Sequence, residues 1–278
     1  MSVLSIQSHV AAGHVGNSAA VLALQVLGHE VWPVHTVLYS NHPGHGTWRG
    51  AAVDAADIAA TLDSLAELGL YAECRAVLTG YLGTAAAGEA AAAAWAAVRD
   101  ARPDVLICCD PVIGDRDEGV YVADELLAFY RARAGAADVL FPNVFELELL
   151  SGRPAADPAG VAAASRVLLE QGAGAVVATS VASAADLGVM LVDAGGAWLV
   201  SAPRLALRAK GAGDFFTALW LGHYLRSGDR RDALGAAFAG TYAAVEASVA
   251  GNSRELPLVA ARPAWEAPPR LFNVAQIE

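Results

Sequence analysis

The stretch of this 278-residue chain best suited to chemistry is Lys210-Gly211-Ala212-Gly213-Asp214, which runs directly into the apolar Phe215-Phe216-Thr217-Ala218-Leu219-Trp220. A glycine turn feeding a helix points successive backbone N–H groups outward at the positive end of the helix dipole, where a phosphate or a developing oxyanion is stabilised. Lys210 adds a compact positive charge and Asp214 a carboxylate able to take a proton. Anion nest, cation and base fall within five residues, an arrangement suited to phosphoryl transfer. Lys210 is the only lysine among 18 basic residues, all others being arginine. The competing reading is an ordinary first helical turn with a chance lysine.

Three other segments carry polar chemistry. Asp110-Pro111-Val112-Ile113-Gly114-Asp115 sets two carboxylates around a Pro/Gly turn; these suit Mg²⁺, which takes one or two carboxylates plus phosphate oxygens and keeps its waters, or else a capped turn in solvent. Asn143 and Glu146 share a helix face at i, i+3 spacing, which also fits a capping box. The tract from Tyr39 through Ser40, Asn41, His42, Pro43, Gly44, His45 and Trp48 to Gly50 mixes aromatic, imidazole, amide and glycine residues, as a loop folding over a planar polar ring requires. Six of the seven histidines lie in the N-terminal third, but their scatter over strands and loops argues against a histidine metal site. Neither G-x-x-x-x-G-K-[ST] nor a G-x-G-x-x-G after a strand is present, so a phosphate donor would be held by the late helix start at 211–214.

Positioning these residues calls for an α/β fold. Apolar runs at 3–8, 31–38, 76–79, 105–109, 139–141 and 175–179 read as strands. Helical patterns fall at 17–27, 54–68, 85–100, 124–133, 144–151, 158–171, 213–225 and 230–250. The segments 187–192 and 198–201, joined by Asp193-Ala194-Gly195-Gly196, read as an antiparallel edge hairpin. Alternation of this kind predicts a mostly parallel sheet covered by helices. The polar pairs Ser8-His9, Asp110-Pro111 and Pro142-Asn143 then sit at carboxyl ends of strands, where open α/β sheets bind ligands. With neither linker nor repeat in view, residues 1–278 read as a single domain, and the proline-rich 255–278 as an extended tail.

Composition narrows the function classes. A net charge of −11 and a pI of about 5.0, with no basic cluster, argue against nucleic acid and anionic membranes. Apolar residues make up 55%, much of it alanine, and no stretch reads as a membrane span. The N-terminus lacks the basic segment of a signal peptide. Cys74, Cys108 and Cys109 form no Cys-x-x-Cys pair and read as small hydrophobes of a reducing cytosol.

In order along residues 4 to about 248, the chain resembles the pyridoxal kinase family of the ribokinase-like superfamily. The resemblance is carried by Leu4-Ser5-Ile6-Gln7-Ser8-His9-Val10, Gly13-His14-Val15-Gly16-Asn17-Ser18-Ala19-Ala20, Tyr39-Ser40-Asn41-His42 with Trp48-x-Gly50, and Thr79-Gly80-Tyr81-Leu82-Gly83. Asp110-Pro111-Val112-x-Gly114-Asp115, Pro142-Asn143-x-x-Glu146 and Gly211-Ala212-Gly213-Asp214 complete it.

The resemblance implies a three-layer α/β/α sandwich without a separate lid domain, and ATP-dependent phosphorylation of the pyridoxal 5′-hydroxyl in B6 salvage by a cytoplasmic homodimer. It makes Asp214 the base, with Gly211, Ala212 and Gly213 as the anion hole. Asp110 and Glu146 support Mg²⁺, with Asn143 nearby. It sets Ser8 and Tyr81 at the pyridine ring with the His42 loop, Thr179 and Ser180 at the nucleotide phosphates with Lys210 and Asp115, and Tyr121 in a flap over them. Two positions depart from the family: Pro43 stands where a threonine is common, and Val120 where some bacterial members carry a flap cysteine that captures the aldehyde. The alternatives are a hydroxymethylpyrimidine kinase and, in another class, a pyridoxal phosphate carrier or sensor with little turnover.

Overall fold

The computed structural model describes residues 1–183, 185–206 and 209–277. In chain order it contains β1 (Ser2–Val10), α1 (Asn17–Val26), β2 (Glu30–Tyr39), β3 (Gly50–Ala52), α2 (Ala55–Glu67), β4 (Cys74–Thr79), α3 (Ala85–Ala101) and β5 (Leu106–Cys109). Then come β6 (Gly114–Asp115), β7 (Gly119–Val120), α4 (Asp124–Arg133), β8 (Val139–Leu140), α5 (Val144–Ser151), α6 (Pro158–Glu170) and β9 (Ala175–Ser183). The last elements are β10 (Asp186–Asp193), β11 (Gly196–Pro203), α7 (Ala212–Ser227), α8 (Arg230–Ala250), α9 (Arg262–Glu266) and β12 (Ala275–Ile277).

The main sheet has the order β12-β11-β10-β9-β8-β5-β4-β1-β2-β3. From β9 to β2 every pairing is parallel. The hairpin β10–β11 and β12 extend one edge antiparallel, and β3 the other. Parallel strands are buried on both faces, which is why Leu106–Cys109 of β5 and residues 175–178 of β9 are unbroken apolar runs. Leu4, Ile6, Val77 and Ile107 face a core under α2 to α6, while Val3, Ala76, Leu78 and Cys108 face a second core under α1, α7 and α8. This is the expected α/β/α sandwich.

Four features differ from the sequence reading. The 255–278 segment is not simply extended. Leu256 and Leu258 are fully buried, and Trp265 on α9 packs edge-on against Phe215 and donates its Nε1–H to the Leu258 carbonyl at 2.7 Å. Pro263 lies in the first turn of α9, where a missing N–H costs nothing, and β12 pairs with β11 at the sheet edge. Strand β9 runs past Thr179 to Ser183, because β10 pairs with it along that length. The turn after Asp110 closes into the small hairpin β6–β7. Finally, α8 has the length and mean hydropathy (1.2) of a membrane span, yet half of that stretch is buried. Its small residues let it pack closely on α7, and a Cβ at Gly240 would meet Leu219 at 2.9 Å. The three cysteines are buried thiols, with burial pushing Cys109 up to about 12 and Cys74 up to about 11.

Candidate active site

A cleft of about 910 Å³ lies across the carboxyl ends of β1, β5, β8 and β9 and the amino end of α7. Each of the three polar strand ends named from the sequence contributes a residue to it: Ser8 near the end of β1, Asp110 after β5 and Asn143 after β8, with Thr179 on β9 joining them. The parallel pairing places them side by side. Thr179 bridges Asn143, its N–H reaching the Pro142 carbonyl at 2.9 Å.

The floor is acidic. Asp110 is 8% exposed, and its Oδ2 accepts a 3.4 Å hydrogen bond from Thr217 Oγ1. Burial, and then the neighbouring Glu146 and Asp214 carboxylates, raise its pKa well above the ordinary value. Glu146 is buried more deeply still, but its carboxylate is committed to the backbone. Oε1 accepts from Ile113 N–H at 2.8 Å and Gly114 N–H at 3.3 Å, and Oε2 accepts from Asn143 N–H at 2.8 Å. Asn143 Oδ1 in turn caps Glu146 N–H at 3.0 Å, and its Nδ2–H holds the Gly114 carbonyl at 2.8 Å. The i, i+3 pair is therefore a complete capping box that also fastens the β6 turn. Burial outweighs these N–H donors and raises the Glu146 pKa.

The nest is built as its sequence requires. Gly211 is the α7 N-cap with φ +89°, and a Cβ there would lie 2.0 Å from the His14 carbonyl oxygen, so only glycine fits. The first bond of α7 runs from Phe215 N–H to Gly211 O at 3.0 Å. The helix thus offers no internal acceptor to the N–H groups of Ala212, Gly213 and Asp214. A Cβ at Gly213 would meet nothing within 4 Å, so the space before the nest is open. Burial pushes Asp214 up to about 6, against the opposing pull of the Gly16 N–H. Gly16 itself must be glycine, since a Cβ there would collide with Ser8.

Lys210 and Asp115 are paired with each other, a contact that spacing did not suggest. Asp115 does not join Asp110 as a second carboxylate of the floor. Its Oδ1 caps the N–H groups of Asp117 and Glu118 in the β6–β7 turn, and its Oδ2 takes the Lys210 ammonium at 3.0 Å. Glu118 Oε1 holds the same ammonium at 2.7 Å. Burial lowers the Lys210 pKa, but the two carboxylates more than reverse this and hold it above its ordinary value.

At one end of the cleft Tyr39, His42, Trp48 and Tyr81 gather with Ser8. His42 Nδ1 accepts the Gly44 N–H at 2.9 Å, capping a short 3₁₀ turn that has Pro43 in its first position. Burial, then Lys210, lowers the His42 pKa, so the ring is neutral with its proton on Nε2. The other end is apolar, with Leu187, Val189, Phe238, Tyr242 and Val245. Between them lie Tyr121, exposed on the loop after β7, and Ser180, a non-glycine residue held at φ +63° where the β9–β10 register shifts. Sequence reading missed Thr217 and Glu118 as site residues, and had Gly16 only within the motif at 13–20. Thr217 alone had a local signal, lying three residues after Asp214 on the same helix face.

No cluster of three or more His, Cys, Asp or Glu side chains forms a metal cage among the described residues. The floor nevertheless fits Mg²⁺: Asp110 is a buried carboxylate with one weak hydroxyl partner and two acidic neighbours. A hard divalent cation completed by waters and phosphate oxygens compensates such a charge.

The family model described as phosphomethylpyrimidine kinase matches residues 16–258. The pyridoxal kinase PdxY of Rubrobacter xylanophilus is 44% identical over 283 residues, covering 100% of this chain and 98% of the relative. This chain belongs to the pyridoxal kinase family. The PdxY of Deinococcus radiodurans is 41% identical over 288 residues, with 100% of this chain and 97% of the relative covered. The solved pyridoxal kinase of Leishmania donovani in complex with ADP and pyridoxamine is 30% identical, with a TM-score of 0.93 and 100% and 99% of the two chains covered. Within the pyridoxal kinase family both sequence departures have a clear local setting: Pro43 opens the 3₁₀ turn, and Val120 lies on β7, 41% exposed.

Proposed function

We propose that this chain transfers the γ-phosphoryl group of ATP to the 5′-hydroxyl of pyridoxal. The observation that carries the reading is Asp214, a carboxylate with its pKa pushed up to about 6 at the helix start whose first N–H groups face open space, between the aromatic and apolar ends of one cleft. The ring lies among Tyr39, Tyr81, Trp48 and Ser8, and the neutral His42 offers its Nε2–H to a ring substituent. The base of ATP occupies the apolar end against Phe238 and Val245. The buried, unpartnered hydroxyl of Thr241 is a further polar group at that end.

In the reaction Asp214 accepts the proton of the 5′-hydroxyl as its oxygen attacks the γ-phosphorus and the bond to the ADP oxygen breaks. The N–H groups of Ala212, Gly213 and Asp214 receive charge on the transferring oxygens. Such transition states are loose, so placement and charge stabilisation outweigh base strength. Mg²⁺, bound by Asp110 with Glu146 behind it, would neutralise phosphate charge. Lys210 and Tyr121 close over the phosphates from the flap side, with Thr179 and Ser180 opposite.

Pyridoxal 5′-phosphate so made serves B6 salvage. A cytoplasmic homodimer is the proposed working form, the exposed Leu38 beside the β3 edge supporting its dimeric part. A hydroxymethylpyrimidine substrate is the second reading, favoured by the description of the matching family model. A coupled ADP-release assay across pyridoxal, pyridoxamine, pyridoxine and hydroxymethylpyrimidine decides between them. Turnover of pyridoxal with the highest kcat/KM is expected; preference for the pyrimidine alcohol would overturn the reading.

A further inference from the structure

The C-terminal segment after α8 sends one side chain back toward the ring-binding end of the cleft. Leu256 is fully buried and fixes the chain there, and the Glu255 carbonyl accepts hydrogen bonds from Ser253 Oγ at 2.7 Å and Ser248 Oγ at 3.1 Å. From this fixed backbone the Glu255 carboxylate reaches two loops. Oε2 accepts the His14 N–H at 3.3 Å, and Oε1 accepts His45 Nε2–H at 2.6 Å. Both side chains are 31% exposed, so the pair is shielded on one side.

The two loops differ in how firmly they are held. The Gly13-His14 turn is locked in place: the His14 carbonyl abuts Gly211, and a Cβ at Gly13 would lie 2.6 Å from Glu255 Oε2. Asn17, just beyond that turn, is buried and donates to the Ser5 and Val34 carbonyls at 3.3 and 3.1 Å. By contrast, residues 43–50 are exposed throughout, and their 3₁₀ turn buries nothing. Among the described residues, the one salt bridge from that turn to the rest of the chain runs from His45 to Glu255.

We infer that Glu255 is a positioning residue that holds the 39–50 loop down over the ring, tying it to the rigid turn behind the anion nest. Glu255 touches neither the nest N–H groups nor Asp214. It acts by raising the fraction of molecules whose loop is closed before the ring arrives, and apparent affinity scales with that fraction. The inference rests on the loop being the ring cover of a pyridoxal kinase.

The test uses the full chain with Glu255→Ala, Glu255→Gln, His45→Ala and the Glu255→Ala/His45→Ala double variant. Loss of one charge-assisted bond is expected to raise KM for pyridoxal about tenfold, with kcat and KM for ATP within about twofold of the parent. The double variant should be no worse than the poorer single one, because the two side chains act as a pair. Without any substrate, brief trypsin treatment should cut after Arg49 several-fold faster in each variant, since an unclamped loop opens more often. That arm separates the two ideas. If the parent fails to phosphorylate pyridoxal but Glu255→Ala still speeds cleavage after Arg49, the function is wrong and the clamp stands. Equal rises in both KM values, additive single effects or unchanged cleavage would overturn the clamp.

Discussion

Lys210 Nζ lies 3.0 Å from Asp115 Oδ2 across 95 residues of sequence, so the chain's only lysine ties the residue before the anion nest to the β6–β7 flap. With Glu118 completing the site, the ammonium is already neutralised by carboxylates. An arriving triphosphate must therefore compete for it, and the flap must move with it.

That competition sets the first prediction. Lys210→Ala is expected to raise KM for ATP about tenfold while leaving KM for pyridoxal nearly unchanged, since one charge-assisted contact to phosphate is lost. All three partners are a third or more exposed, so their pairing contributes only about 0–1 kcal/mol to stability, and Tm should barely shift. Lys210→Arg is the sharper variant. A planar fork cannot replace a compact ammonium between two carboxylates and a phosphate, so ATP turnover should fall. Parent-like kcat and KM for ATP in the Arg variant would make the lone lysine an accident of composition.

Local chemistry was legible in the sequence wherever it obeyed a local rule. The nest at Gly211–Asp214 follows from glycine before a helix, α4, α5 and α8 match their periodicity to the residue, and each parallel strand was visible as an apolar run. The flap was not, because β6 and β7 are two residues each and close only by pairing with one another. Asp115 looked like a floor carboxylate because spacing to Asp110 was the only information available. Its actual partner, Lys210, has no sequence signature nearby. Glu255 was hidden for the same reason: its partners are 241 and 210 residues away, in a tail that prolines made look unstructured.

A pH profile should expose Asp214. Its pKa lies near 6, above the ordinary 3.8, so the base form needed for catalysis is lost as pH falls through about 6. A single-proton limb in kcat/KM is expected there. For a carboxyl raised by burial, the stabilising state is the protonated one, complete below the unfolded value of 3.8 and lost as pH rises through about 6. Asp214→Asn should therefore lower kcat by about 10²-fold or more, yet raise Tm at pH 7.5. Near-normal turnover in that variant would remove Asp214 from the base role.

Asp110→Asn should separate metal support from folding. The buried carboxylate has one 3.4 Å hydroxyl partner and two acidic neighbours, and removing such an uncompensated charge is neutral or stabilising. Tm without Mg²⁺ should hold or rise, whereas the Mg²⁺ concentration for half-maximal rate should increase several-fold. An unchanged Mg²⁺ titration would return Asp110 to a purely structural role.

Glu146→Gln should behave in the opposite way. Its two oxygens accept three backbone N–H groups, from Ile113, Gly114 and Asn143, and an amide can present an oxygen to only one side. A buried N–H left without an acceptor costs about 1–3 kcal/mol, which for a chain of this size is roughly 2–4 °C of Tm per kcal/mol. The β6 turn would loosen with it, since Gly114 is held both by Glu146 and by Asn143 Nδ2, and the flap carrying Asp115 and Glu118 would lose its anchor. The expected signature is a fall in Tm with a rise in KM for ATP that added Mg²⁺ does not reverse. Recovery of the rate at high Mg²⁺ with an unaltered Tm would instead make Glu146 a metal ligand first and a helix cap second.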